Sequence, residues 1–230
     1  MSTRIAKEAV GQAAADLVRD GMIVGLGSGT TASFFIDALV KRVRNGLKIE
    51  CVSSSKNSHE QAKKGDIRVY DINEVSHVDI TFDGADEIDP EKRMIKGGGG
   101  AHVREKILAT SSDEMVVIID ESKLVPKLAT HMPLPVEVLF FGSPATKMKI
   151  ERLGFHGKWR IKNDGNFFIT DNGNLIYDIA YDKPPEFPEQ DHDSIIHVPG
   201  VVDTGYFFGI AGRVLIGYFD GHVEMKEQLS

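Results

Sequence analysis

Short apolar segments alternate with helical patterns over the first 125 residues, and several of them run straight into polar clusters. "MIVGLGSG" (22–29), "VDITFDGADEI" (78–88) and "MVVIIDESK" (115–123) read as strands; residues 3–20, 31–44 and 55–65 read as helices. Such alternation predicts an α/β fold with a parallel sheet covered on both faces. In the first helix Ile5, Ala9, Ala13 and Leu17 follow a helical spacing. Val10, Ala14 and Val18 widen the stripe, and Gly21 supplies a stop. "LKIECVSSS" and "IRVYDI" supply further strands.

The pattern changes near "HMPLPVEVLFFGSP", which reads as a crossover between domains. A helix follows in "ATKMKIERLG", then an antiparallel hairpin in "FFITDNGNLIYDIA" around Asn172-Gly173, then the polar, proline-rich loop "YDKPPEFPEQDHD". The last segment, "GYFFGIAGRVLIGYFDGHVEMK", returns to apolar strands that can rejoin the first sheet. Residues 1–130 and 205–230 are therefore expected to form one domain, and 131–204 a smaller α+β domain.

Composition narrows the partners. With 41% hydrophobic and 27% charged residues, 230 residues suffice to bury a proper core. A formal net charge of −7 without a basic tract argues against nucleic acid and anionic membranes. The single cysteine, Cys51, excludes an intramolecular disulfide and fits a cytoplasmic protein; it reads as a buried strand residue. Neither a secretory signal nor a stretch of roughly 20 apolar residues is expected.

Four stretches carry chemistry. "GLGSGTTA" (25–32) joins a strand to a helix. Its amides and the hydroxyls of Ser28, Thr30 and Thr31 suit a phosphate or carboxylate. It lacks the Gly-Lys of a Walker loop and the third glycine of a dinucleotide fingerprint. The plain alternative is a tight turn capped by threonines. "FDGADEID" (82–89) crowds Asp83, Asp86, Glu87 and Asp89 at a strand end. Glu87 and Asp89 read as turn chemistry, whereas two strand-end carboxylates could bind sugar hydroxyls. A metal site reads weakly, since no histidine lies near. "MIKGGGGAHVREK" (94–106) orders four glycines, Gly97 to Gly100, despite their entropic cost. Lys96 precedes them, and Glu105 follows early in a helix, where the dipole favours a carboxylate. "IIDESK" (118–123) places Lys123 after another strand. Four polar strand ends favour one shared pocket. The eight histidines show no metal-ligand spacing.

Taken together and in order, "GLGSGTTA", "DGADEID", "KGGGGA" with "REK", "DESK", "PLPVEV" and "DNGN" resemble type A ribose-5-phosphate isomerase. Ser28 stands where that family commonly has threonine. The resemblance implies a Rossmann-like domain with a smaller α+β domain near the C-terminus. It also implies interconversion of ribose 5-phosphate and ribulose 5-phosphate without metal or organic cofactor, and a homodimer or tetramer. By the same resemblance Glu105 is the general base. Ser28, Gly29, Thr30 and Thr31 cradle the phosphate. Asp83, Gly84, Ala85 and Asp86 handle the sugar hydroxyls and ring opening, and Lys96, Gly97, Gly98, Gly99 and Lys123 supply the remaining substrate contacts. The chemistry fits these residue types: moving a proton between adjacent carbons needs a carboxylate, donors for the developing oxyanion, and acid–base help at the hydroxyls. A sugar-phosphate sensor would not need Glu105. An amino-sugar-phosphate deaminase would want a histidine in these motifs, where His102 is the nearest, and a CoA transferase could share the sheet.

Overall fold

The structure, a computed structural model, describes residues 2–229. In chain order the helices are α1 (Ser2–Asp16), α2 (Gly29–Arg44), α3 (Lys56–Lys64), α4 (His102–Thr110), α5 (Ser143–Arg152) and α6 (Pro188–Ile196). The strands are β1 (Ile23–Leu26), β2 (Glu50–Ser53), β3 (Val69–Tyr70), β4 (Ile80–Asp83), β5 (Glu87–Ile88), β6 (Met94–Ile95), β7 (Met115–Asp120), β8 (Leu134–Val138), β9 (Gly157–Trp159), β10 (Leu175–Ile179), β11 (Val201–Thr204), β12 (Tyr206–Phe207), β13 (Ala211–Gly217) and β14 (Val223–Lys226). The chain divides into two compact units. One comprises the residues up to Ala85, Arg104–Leu124 and those from Gly209; the other comprises Asp86–Val103 and Val125–Phe208. Residues 86–103 thus pack with the second unit.

The first unit is built on a seven-stranded sheet in the order β3-β2-β1-β4-β7-β13-β14, parallel except for the β13–β14 hairpin. Its first six positions follow the doubly wound order, in which the chain turns one way after β1 and the other way from β4. The returning C-terminal strands rejoin this sheet, as the sequence suggests. All six residues of β7 are buried, the mark of a strand covered on both faces. Val10, Ala14, Val18, Phe35, Leu39, Ile80, Phe82, Val116 and Ile118 form its core. In α1 the buried stripe is Ala6, Val10 and Ala14, continued past its end by Val18; Ile5, on the other stripe, is half exposed. That helix also ends at Asp16, short of Gly21. The amides of Leu17 and Val18 tighten onto Ala14 and Ala15, and the Arg42 guanidinium donates to the carbonyls of Ala15 and Val18. A side chain from α2 thus takes carbonyls that another helical turn would have used.

In the second unit a four-stranded antiparallel sheet runs β11-β8-β10-β9, beside a three-stranded one, β12-β6-β5. "PLPVEV" is not a crossover but the central strand β8. Proline is rare in such a place because it cannot donate to the ladder. Here the Pro135 carbonyl accepts from the Gly205 amide (2.7 Å), while the Gly205 carbonyl is taken by the Lys96 amide (2.9 Å), so no acceptor waits for the missing donor. The Asn172-Gly173 turn forms, closed by Thr170 and Asn174, but the hairpin does not. β10 pairs with β9 and β8 instead. The turn is held by Glu137 of β8, fully buried, which accepts from Thr170, Asn172 and Asn174 at 3.1, 2.9 and 2.7 Å. This local polar lock outweighs the hairpin register read from the sequence. The second half of the proline-rich loop is helix α6, started by Pro188 in its first turn.

Tyr206 donates to the Tyr181 hydroxyl (3.1 Å) and Tyr181 to Asp191 (2.9 Å). Burial pushes both phenols well above the ordinary value of 10.0. Below pH 10 both folded and unfolded chains carry neutral phenols. Above it the unfolded chain releases protons that the folded one retains, so stability falls as pH rises. Urea midpoints should therefore drop between about pH 9 and about pH 11, and Tyr181→Phe should drop less steeply. Parallel profiles for the two proteins would show that the buried pair does not set the alkaline limit.

Candidate active site

Three adjacent parallel strands of the first unit, β7, β4 and β1, end at one edge of the sheet, and the topological switch lies between β1 and β4. Open α/β sheets bind ligands at the carboxyl edge beside such a switch. After β1 the chain passes through Gly27 and Ser28 into α2. After β4 it passes from Asp83 through Gly84 to the buried Ala85, and after β7 a 3-10 turn, Glu121–Lys123, carries a half-buried Lys123.

Asp83 is 1% exposed, and its Oδ1 accepts from the backbone amides of Ser28 (3.0 Å) and Gly84 (2.8 Å). Hydrogen bonds to a charged group contribute about 1.5–3 kcal/mol each, which offsets the cost of drying the carboxylate. The arrangement needs glycine at position 27, since a Cβ there would stand 2.2 Å from the Asp83 carboxyl carbon. Ser28 occupies the N-cap position of α2 without capping it through its side chain. Its hydroxyl donates instead to Glu105 Oε1. Glu105, 4% exposed, lies in the first turn of α4. One serine therefore joins two of the sequence-nominated carboxylates.

Beyond Ser28, Gly29 opens α2 with φ +85°, Thr30 is exposed and Thr31 is buried. The loop is braced from behind: Ser58 Oγ donates to the Gly27 carbonyl at 2.6 Å, and the Ser54 amide to the Leu26 carbonyl at 3.0 Å. Lys7 of α1 donates to Thr30 Oγ1 (2.7 Å), and its ammonium lies 3.9 Å from Asp120 Oδ2. Sequence reading missed Lys7, because a lysine on an amphipathic helix carries no signal of which loop it reaches.

The second unit holds the other nominated residues. Lys96 is 3% exposed, with its ammonium 5.5 Å from the ring centre of Phe207. The Gly98 amide donates to Asp86 Oδ2 (2.7 Å), and the Gly100 amide closes a turn onto the Gly97 carbonyl (2.9 Å). Gly97 is buried and Gly98 and Gly99 are exposed. Gly98 also has no room for a side chain, since a Cβ would meet Asp86 Oδ1 at 2.7 Å. Asp89 accepts the amides of Glu91 and Arg93, the turn chemistry expected of it; Glu87, a buried residue of β5, instead accepts the amides of the distant Thr130, His131 and Met132. His102 is fully buried.

One group could hold a metal among the described residues: His77, Asp79 and Asp113, whose ligand atoms lie within 4.8 Å of one another. It sits at the amino end of β4, the opposite end from Asp83. Both carboxylates lie 3.3 Å from His77 Nε2 at the surface, as in ordinary ion pairs. Among the described residues no helix is long and apolar enough to cross a membrane.

Residues 50–221 match the family model for ribose 5-phosphate isomerase A (phosphoriboisomerase A). Ribose-5-phosphate isomerase A of Protochlamydia amoebophila is 45% identical, over 94% of this chain and 93% of its own length. That of Bacillus mycoides is 44% identical over 94% and 96%. Among solved structures, ribose 5-phosphate isomerase A from Methanocaldococcus jannaschii superposes with a TM-score of 0.91 at 35% identity, covering 98% of this chain and all of that one. A D-ribose-5-phosphate isomerase in complex with phospho-erythronic acid gives a TM-score of 0.93 at 31% identity, covering 99% and 100%.

The close approach at residue 27 is open to test. Gly27→Ala should cost about 1–3 kcal/mol, as overpacking does, read as a lower urea midpoint at an unchanged slope. Wild-type stability would mean that the Asp83 carboxylate moves aside freely.

Proposed function

The chain belongs to the ribose 5-phosphate isomerase A family, and from that membership we propose that it interconverts D-ribose 5-phosphate and D-ribulose 5-phosphate through an enediolate, in the non-oxidative branch of the pentose phosphate pathway. The observation that carries the proposal is the buried Glu105 carboxylate, held by Ser28 directly beside the hydroxyl-rich start of α2. A base and a phosphate cradle that share a residue fix the distance between the substrate's phosphate and its reacting carbons.

In this reading the Ser28–Thr31 segment binds the phosphate at the helix N-terminus through the amides of Gly29, Thr30 and Thr31 and the threonine hydroxyls, with Ser28 tying this cradle to Asp83 and Glu105 and Lys7 adding positive charge. Asp83, Gly84, Ala85 and Asp86 bind the sugar hydroxyls and assist ring opening. Glu105 removes the proton from C2 of the open-chain aldose. The electron pair moves into the C1–C2 bond and the carbonyl oxygen becomes an oxyanion. Glu105 then returns the proton to C1, and exchange of a proton between the two oxygens leaves the ketose. Lys96, the amides of Gly97, Gly98 and Gly99, and Lys123 supply charge and donors for the oxyanion and hydroxyls. No step calls for a metal or organic cofactor. Phospho-erythronic acid, a four-carbon sugar acid bearing a phosphate, is the kind of ligand such a site would take. The family resemblance favours a homodimer or tetramer, and the single cysteine, Cys51, favours the cytoplasm.

Glu105→Gln preserves shape and removes the base. Turnover of ribose 5-phosphate should fall about 10²–10⁴-fold, while phospho-erythronic acid still binds. In deuterated water the wild type should exchange the C2 hydrogen as it isomerises, and the variant should not. Normal turnover by the variant would move the base to Asp83 or Asp86. A wild type that binds the sugar phosphate without isomerising it would point to a sensor.

A further inference from the structure

Arg160 follows β9 directly, and the sequence motifs give it no role. Its guanidinium pairs in bidentate fashion with Asp178 of β10, at 2.9 and 2.6 Å. From the same group Nη1 donates to the carbonyls of Gly97 (2.8 Å) and Gly98 (3.0 Å). The Phe168 ring lies 5.8 Å away, and Phe168 with Ile176 also fills the space a Cβ on Gly100 would need. The Arg160 backbone is fixed too, its amide on the Ile176 carbonyl (2.8 Å) and its carbonyl on the Phe168 amide (2.9 Å). Little of this assembly can turn: Arg160 and Asp178 are 16% and 20% exposed, and the planar fork needs both carboxylate oxygens in place.

The consequence lies in peptide geometry. In a planar trans peptide the C=O of one residue and the N–H of the next point in opposite directions. Holding the Gly97 carbonyl toward Arg160 drives the Gly98 N–H the other way, where it meets Asp86 at 2.7 Å. Holding the Gly98 carbonyl does the same to the Gly99 N–H. Two successive amides are thereby aimed to one side, as in backbone concavities that take anions. With four glycines in a row, few conformations are excluded by sterics; the Gly100 amide closes one turn onto the Gly97 carbonyl, and Arg160 adds the hold on the Gly98 carbonyl that the loop itself does not supply.

We propose that Arg160 is the positioning residue of this isomerase. Locked by Asp178, it clamps the Gly97 and Gly98 carbonyls so that the Gly98 amide holds Asp86 in place and the Gly99 amide is aimed to donate to an oxygen that gains charge in the enediolate. This rests on the isomerase reading above. Among the described residues, every hydrogen bond of the Arg160 guanidinium goes to Asp178, Gly97 or Gly98, so it acts through the loop. A lysine cannot replace it, because one ammonium does not span two carbonyls and a bidentate carboxylate.

The test combines kinetics with amide spectroscopy on the full chain. In Arg160→Met kcat should fall at least about tenfold, with KM for ribose 5-phosphate within about threefold, since the Ser28–Thr31 cradle is untouched. Arg160→Lys should fall between that variant and wild type. Methylguanidinium at millimolar concentration should restore part of the turnover of Arg160→Ala, and tetramethylammonium should not. The Gly98 amide proton should lose its downfield shift in Arg160→Met and Asp178→Asn. A folded Arg160→Met with wild-type kcat, or unchanged Gly98 and Gly99 shifts in the variants, overturns the clamp. Failure of wild type to isomerise would sink the isomerase reading alone, because the amide shifts still decide whether Arg160 orients the loop.

Discussion

A carboxylate kept dry by two backbone amides organises the first unit. Asp83 ends a central strand with 1% exposure and takes the amides of Ser28 and Gly84. That bond fixes where the chain leaves β1, requires residue 27 to lack a side chain, and sets the position from which α2 starts. Because Asp83 engages the Ser28 amide, the Ser28 side chain remains available to Glu105. Exposure would remove most of this leverage, since water competes for every hydrogen bond and screens the charge. Burial at the switch point lets a single acidic side chain tie two loops and a helix together.

The second unit uses the same logic with the signs reversed. There a cation, Arg160, gathers backbone carbonyls, and a carboxylate, Asp178, keeps it from swinging away. Glu137 repeats the device on the adjacent strand, gathering the side chains of the 170–174 turn. Loops rich in glycine and asparagine have little stiffness of their own. In both cases rigidity is lent to them by a charged side chain standing on a sheet.

Much of this was legible in the sequence, and for identifiable reasons. β7 announces itself because a strand buried on both faces is apolar along its length, here from Met115 to Ile119, with the buried Asp120 only at its end. Ser28 and Asp83 were legible because strand ends of a parallel sheet carry the polar residues, and Glu105 because it follows an ordered glycine run at the start of a helix and matches the family motif. What failed depends on partners distant along the chain. The end of α1 is set by Arg42, the acceptance of Pro135 in a central strand by Gly205, and the loss of the hairpin by Glu137. Lys7 and Arg160 escaped notice for a related cause. Each lies well outside the motif it serves, and a lone basic residue does not reveal its acceptor. Residues 86–103 pack with the second unit through contacts that begin beyond residue 125, which local periodicity cannot reveal.

The order in which the large sheet is threaded has a price during synthesis. β13 lies between β7 and β14, yet it begins at Ala211, long after β7 ends at Asp120. Until β13 is made, β7 presents an open edge of six otherwise buried residues, "MVVIID", without a proline or a basic side chain to blunt it. Ribosomes add about 5–20 residues per second, so the gap lasts on the order of 5–20 s. Unpaired apolar edges of that kind recruit other chains. The nascent polypeptide therefore spends that interval with this apolar strand edge uncovered, and the window closes only when β13 emerges.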